Sequence, residues 1–236
     1  MILSFKSERV LAVVAHPDDA ELLCAGTLAR AKEEGAAVAV CVLCKGDKGQ
    51  PSKLIRDLAA VRRKEMREAM YVLGAQLFLG EFPDGTLADE PPLRAKLVEI
   101  YRKFAPTLVI AHFAGDYHPD HRAASALAEA ASWFCASRGH VTKTQPLPAP
   151  PALWWMDTIT MSGFEPEIYI DISRSLPVKQ RMLASHRSQM ARGKDADFSC
   201  LGDLMRLQAL ARGAQAGVTA AEAFRIHRAF KRARAF

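Results

Sequence analysis

Two short clusters in this 236-residue chain combine histidine, aspartate and proline: Ala15-His16-Pro17-Asp18-Asp19 and Asp116-Tyr117-His118-Pro119-Asp120-His121. A catalytic zinc takes three protein ligands of the His, Asp or Glu type and keeps a fourth position for water. His16, Asp19 and His121 can supply that set. The tight turn at Pro17 presents the first two to one point, and the third comes from the second cluster. Asp18, beside a ligand but not needed as one, can take a proton from water. His118 stands one helical turn before His121 and can flank the same cavity. Asp120 would be its partner, fixing the tautomer and holding a positive imidazolium. Plainer roles exist for each residue. Asp18, Asp19 or Asp120 can cap a helix, and a single loop histidine is most often surface or packing. Capping does not account for His16, His118 and His121 together. His112, at a strand end, reads as structural, and His140 and His227 have no supporting neighbours.

The elements that must position these clusters alternate between strand and helix. Apolar runs at Val10–Ala15, Val38–Cys44 and Thr107–His112, with a short one at Gln76–Leu79, predict buried strands. Helices are expected over Ala20–Glu34, closed by Gly35, and over Ser52–Leu73, stopped by Gly74. A further helix carries the stripe Leu93, Leu97, Ile100, Tyr101 and Phe104. Another runs from Pro119, proline suiting the first helical position, to about Arg138. This order predicts a three-layer α/β/α fold, a mainly parallel sheet with helices on both faces. Both clusters then lie at carboxyl ends of strands, where open α/β sheets bind ligands. If the two strands are neighbours, the clusters face each other across one crevice. Beyond residue 140 the pattern changes. A proline-rich loop (Thr142–Pro151) leads to strands at Ala152–Met156 and Glu167–Asp171. A helix capped by Ser173 reaches about Met190, and another covers Asp203–Arg212. The chain reads as one domain, 1–236, with a core over 1–140 and a C-terminal extension over 141–236. A polar loop at Lys194–Asp197 could act as a lid.

Half the residues are hydrophobic and a quarter charged, a globular balance. No apolar run approaches the ~18 residues of a membrane helix, and no signal-peptide core opens the chain, so a cytoplasmic location is expected. Five scattered cysteines do not make a disulfide framework. Cys41 and Cys44 form a CxxC, but an offset of three in a strand puts them on opposite faces, which favours two small core residues. The net charge is +6. Arg225, Arg228, Lys231, Arg232 and Arg234 gather near the end of the chain, with no aromatic platform or nucleic-acid motif beside them, which argues against a nucleic-acid partner. The absence of GxGxxG after strand one argues against a dinucleotide site.

The segment AHPDDAELLCAGTLA at 15–29 resembles the signature of the PIG-L/LmbE-like N-deacetylase family, and HPDHRAA at 118–124 resembles its second signature. The order and separation of the two match as well. The loop Lys45-Gly46-Asp47 with Gly49, the R-x-x-E helix of Arg62–Glu65 followed by Leu73-Gly74, the turn Phe82-Pro83-Asp84-Gly85 and the late His186-Arg187-Ser188-Gln189 extend the likeness over most of the chain. The resemblance implies a Rossmann-like fold holding one zinc, with His16, Asp19 and His121 as ligands. Iron(II) could replace zinc at such a site. It implies Asp18 as general base, and His118 as electrophile or acid with Asp120 behind it. Some members carry a tyrosine at the position of Asp116, where it helps hold an oxyanion; here Tyr117 is adjacent. Arg62 and Asp84 match positions that approach the sugar in relatives. Arg62 could grip sugar hydroxyls or an anionic aglycone, or pair with Glu65 at the surface. Asp47 could face the cleft or close a turn.

The implied activity is removal of the acetyl group from an N-acetylglucosamine-type amino-sugar conjugate. Alternatives are an amidase that releases a larger acyl group, and a catalytically silent sugar-binding protein. Relatives often self-associate, so a homo-oligomer is a further expectation.

Overall fold

The computed structural model describes residues 4–195 and 200–229. A seven-stranded sheet has the order β3-β2-β1-β4-β5-β7-β6. Its strands are β1 (Arg9–Val14), β2 (Ala37–Cys44), β3 (Gln76–Phe82), β4 (Leu108–His112), β5 (Ala152–Met156), β6 (Ile168–Asp171) and β7 (Ala221–Ile226). β1 to β5 pair in parallel. β7 runs antiparallel to both of its neighbours, β5 and β6, so it alone opposes the rest.

Alternation along the central strands builds two cores. Val10, Ala12, Val14, Val38, Val40 and Val42 face one side, and Leu11, Val13, Ala39, Cys41 and Leu43 the other. A parallel strand covered on both faces has no polar side, which is why these runs are apolar throughout. Helices α1 (Asp19–Leu23), α2 (Ala25–Glu33), α3 (Leu58–Leu73), α6 (Leu176–Ala184) and α8 (Leu201–Ala216) contribute to the first core. Helices α4 (Pro91–Phe104) and α5 (Pro119–Phe134) contribute to the second. A short helix α7 (Arg187–Met190) and a 3-10 turn (Ala191–Lys194) follow α6.

The predicted helix over Ala20–Glu34 is two helices, broken at Cys24. The cause is Glu222 of β7, whose carboxylate accepts hydrogen bonds from Gly26 N–H at 2.9 Å and Thr27 N–H at 2.7 Å. A fresh helix N-terminus therefore forms there, its orphan donors satisfied by a carboxylate. Gly26 also admits no side chain, because a Cβ would lie 2.7 Å from Ile172. Helix α3 starts at Leu58 rather than Ser52, because the Asp57 side chain caps it by accepting from Ala60 N–H. Ser173 does not cap α6; its N–H and hydroxyl donate to Asp171. The helix begins after Ser175 and is interrupted at Ser185-His186. Strand β7 was not anticipated. Its first residues, Ala221 to Phe224, are buried beside β5 and β6, in a stretch that reads in sequence as the start of a basic tail. Residues 196–199, part of the expected lid, and 230–236, with Lys231, Arg232 and Arg234, lie outside the described residues. No helix among the described residues is long and apolar enough to cross a membrane.

For the site, the decisive feature is that β1 lies between β2 and β4. The chain winds outward from β1 through β2 to β3, then returns to β4 on the other side. The loops leaving β1 and β4 therefore diverge from adjacent strand ends and open the crevice that doubly wound sheets use for ligands.

Candidate metal centre and catalytic crevice

The loop after β1 carries His16 to Asp19, and the segment from β4 into α5 carries Asp116 to His121. Between them lies a cavity of about 510 Å³, lined in part by His16, Asp18, Asp19, His118, Asp120 and His121. Asp18 adopts a left-handed backbone conformation, φ 101°. A non-glycine residue rarely does so outside a turn or a functional site. The turn delivers Asp18 and Asp19 in different directions: Asp18 toward Arg62, Asp19 toward the histidines.

Asp19 is the hub. Its Oδ2 accepts from the backbone N–H of His16 at 2.7 Å. It lies 3.6 Å from His16 Nδ1 and 3.2 Å from His112 Nε2, while Oδ1 is 3.4 Å from His121 Nε2. The far nitrogens of the two candidate ligand histidines are also engaged. His16 Nε2 lies 3.0 Å from Asp120 Oδ2, and His121 Nδ1 lies 3.0 Å from Asp116 Oδ1. Each imidazole thus has one nitrogen held by its own carboxylate and the other turned toward Asp19. That is the carboxylate–histidine arrangement that orients metal-bound imidazoles. The contacts at 3.4 and 3.6 Å are long for hydrogen bonds. Donors that share a tetrahedral zinc at ~2.0 Å stand roughly 3.3 Å apart. Histidine and aspartate donors at this spacing form a cluster able to hold a metal ion. His118 brings a ring nitrogen within 4.8 Å of those of His16 and His121, and Asp19, His112 and His121 form a second such group.

The electrostatics follow from this crowding. Burial alone would lower the pKa of His16 and His121. For His16 it is outweighed by the bonds to Asp120, Asp19 and Cys44, so the pKa rises. For His121, Asp19 and Asp116 raise it to about 9. Asp19 falls well below the carboxylate range, since His121 and His112 overcome its burial. His112, fully buried and stacked 3.9 Å from His121, is pushed down to about 4 by burial and by the charge of His121. It therefore stays neutral, and it accepts from Ala15 N–H at 3.1 Å.

His118 is also lowered, by burial and by its cationic neighbours His121 and His16. It is the N-cap of α5, and its Nδ1 accepts from Asp120 N–H at 3.2 Å. With Nδ1 accepting, the proton of the neutral ring sits on Nε2. The expected partnership changes: the Asp120 carboxylate holds His16 and also accepts from Gly85 N–H. Only the Asp120 backbone reaches His118. The cause is the helix start, where the residue after Pro119 offers its N–H to the cap.

Asp18 Oδ2 lies 2.8 Å from Arg62 Nη2. Burial raises its pKa, and the guanidinium draws it partly back. Arg62 is 3% exposed and also donates to the Pro17 carbonyl. The surface pair with Glu65 does not form; Glu65 instead accepts from the Ser188 N–H and hydroxyl, at 2.7 Å each. Gly46, at φ +73°, leaves the room Arg62 occupies, since a Cβ there would lie 2.6 Å from its side chain. Asp47 closes a turn, accepting from Asp84 N–H. Asp84 lines the cavity, yet its two oxygens accept from Gly46 and Lys48 N–H. Tyr117 is 61% exposed and borders the cavity. His186 is buried, 3.4 Å from Glu21, and Gln189 donates to the Gly49 carbonyl. His140 stacks on Phe134 and His227 against Trp155, neither lining the cavity.

Sequence reasoning missed three contributors: Asp116 as the partner of His121, His112 behind Asp19, and Cys44. Only Asp116 had a usable signal, a carboxylate five residues before a helical histidine at a helix start.

Comparison with known proteins bears on this geometry. A family profile described as GlcNAc-PI de-N-acetylase matches residues 11–132. A conserved protein of Thermus thermophilus has a crystal structure with TM-score 0.81 and 33% identity, covering 97% of this chain and 100% of that one. The 1D-myo-inositol 2-acetamido-2-deoxy-alpha-D-glucopyranoside deacetylase of Mycobacteroides abscessus is 28% identical over 251 residues, covering 85% of this chain and 88% of that protein. The 4-oxalmesaconate hydratase of Pseudomonas putida is 29% identical over 149 residues, 60% of this chain; the chain spans 58% of that relative's length. The profile match takes in both histidine–aspartate clusters and the strands that bring them together, and the chain belongs to the PIG-L family.

Proposed function

We propose that the chain is a zinc-dependent hydrolase that removes the N-acetyl group from an N-acetylglucosamine-type conjugate. One observation carries this reading. Two imidazoles 105 positions apart in sequence, one on the loop after β1 and one in the first turn of α5, turn toward one carboxylate, Asp19, each backed by a carboxylate of its own. That is a centre for a cation, set in a cavity large enough for a sugar. In this reading His16, Asp19 and His121 hold the ion. Asp116 and Asp120 orient the two imidazoles.

A bound zinc supplies a lowered water pKa and a Lewis acid for the amide carbonyl. The residues of the chain do the rest. Asp18, ionised and steadied by Arg62, takes a proton from the attacking water as its oxygen bonds to the acetyl carbon. His118 donates Nε2–H to the oxygen that gains charge. Asp18 then returns its proton to the nitrogen as the carbon–nitrogen bond breaks, leaving acetate and a free amine. Arg62, Asp84, Asp47 and Tyr117 would surround the sugar. Asp84 acts mainly by shaping its loop, since both its oxygens accept from Gly46 and Lys48 N–H, while Arg62 commits Nη2 to Pro17 and Asp18 and keeps Nε without a partner. The deacetylase named for the M. abscessus relative supports this substrate class.

Amine release from N-acetylglucosamine conjugates by zinc-loaded protein, lost on chelation and restored by zinc, tests the reading. A panel with longer acyl chains separates deacetylase from amidase. No amine release from any member, with the metal bound, would overturn the assignment and direct attention to water addition of the kind named for the P. putida relative.

A further inference from the structure

Cys44, the last residue of β2, is 2% exposed and yet belongs to neither apolar core. Cys41, three residues earlier, packs in the core beneath α4 and α5. The two are therefore not a matched pair of small core residues. The register of β2 on β3 shifts between Val42 and Cys44. Such irregularities re-aim side chains at strand ends. The Cys44 sulfur, a His16 ring nitrogen and an Asp120 carboxylate oxygen all lie within 4.8 Å of one another. His16 thus stands between two donor groups. Nδ1 faces Asp19 and Nε2 faces Asp120, the carboxylate grouped with Cys44.

We propose that Cys44, His16 and Asp120 form a second cation position, selective for thiophilic ions such as cadmium(II) or excess zinc(II), that shares His16 with the first. Sulfur, imidazole and carboxylate together suit soft and borderline ions, whereas magnesium and calcium prefer oxygen donors alone. A neutral imidazole offers one nitrogen lone pair at a time. When Nε2 binds an ion, the ring proton moves to Nδ1 and the thiol proton leaves to solvent. Nδ1 then no longer serves the Asp19 side, so an ion at Cys44 weakens the first position. This sharing rests on the metal reading of His16 given above; the sulfur-containing position does not.

The test is a cadmium(II) titration of the metal-free full chain, followed by thiolate-to-cadmium charge-transfer absorption in the ultraviolet. Wild type should develop the band to saturation, and Cys44→Ser should lose it. His121→Ala removes a donor from the first position only and should keep it. Asp120→Asn, which leaves the thiol in place, should need more cadmium to reach half-saturation. An equal band in Cys44→Ser would assign the signal to another cysteine and overturn the proposal. So would its absence in wild type, its loss in His121→Ala, or an unchanged half-saturation in Asp120→Asn. Amine release by zinc-loaded wild type reads the hydrolase proposal separately from the cadmium band.

Discussion

Two of the buried charged clusters among the described residues are built on opposite terms. At one, Lys179 and Glu222 are 1% and 4% exposed and stand 2.5 Å apart. Glu222 also accepts from Gly26 and Thr27 N–H. Charges cancel, the carboxylate is saturated, and the cluster closes on itself while starting α2. At the other, Asp19 has three imidazoles within 3.6 Å, those of His16 and His121 at separations longer than good hydrogen bonds, beside an open cavity. Its histidines are held from behind and left free in front. A buried charge with all its partners inside the protein organises structure. In the proposed reading, one whose neighbours converge beside an open cavity organises a guest.

The difference predicts how each cluster breaks. Asp18→Asn should cut turnover by about 100- to 10,000-fold, the usual contribution of a general base, with metal content and the urea midpoint unchanged. Glu222→Ala should do the reverse. Removing one partner of a buried pair costs about 3–5 kcal/mol, read as a lower urea midpoint, and the protein still folded should bind metal with wild-type stoichiometry. If Glu222→Ala abolished metal binding in folded protein, the two clusters would not be separable. Asp116→Asn and Asp120→Asn should each weaken zinc about 10- to 100-fold, the typical loss when an orienting carboxylate is removed, measured by competition with a chelator. The smallest effect concerns pH. The Asp18 pKa is raised by burial and lowered by Arg62, and in the proposed mechanism Asp18 works ionised, so activity should fall as pH drops through its pKa. Arg62→Met removes the lowering charge, and the acid limb of kcat/KM should move to higher pH. A limb that stayed in place would detach Asp18 from the pH profile.

The site was more legible in the sequence than the half of the fold that follows it. The residues from Val10 to Phe134 form apolar strands and striped helices, whose periods are read directly, and the clusters sit at punctuated strand ends. The dense, rigid grouping of His16 to Asp19 needs no long-range information. Partnerships across the crevice do. Asp120 looked like the companion of His118 because they are close in sequence, but the helix start turns its carboxylate to His16, 104 positions away. Arg62 looked exposed because an arginine on a helix usually is. Only the fold buries it under Gly46 and against Asp18. The split between α1 and α2 originates in Glu222 of β7, and no local pattern announces a carboxylate that reaches a helix start 195 positions earlier.

The central claim is that the loops after β1 and β4 share one divalent ion. Crystals soaked with one equivalent of zinc, with diffraction recorded at the zinc absorption edge, address it directly. The account predicts a single anomalous peak about 2.0–2.2 Å from His16 Nδ1, an Asp19 oxygen and His121 Nε2. A peak that lacks either histidine, or zinc bound at some other place with this crevice vacant, would contradict it.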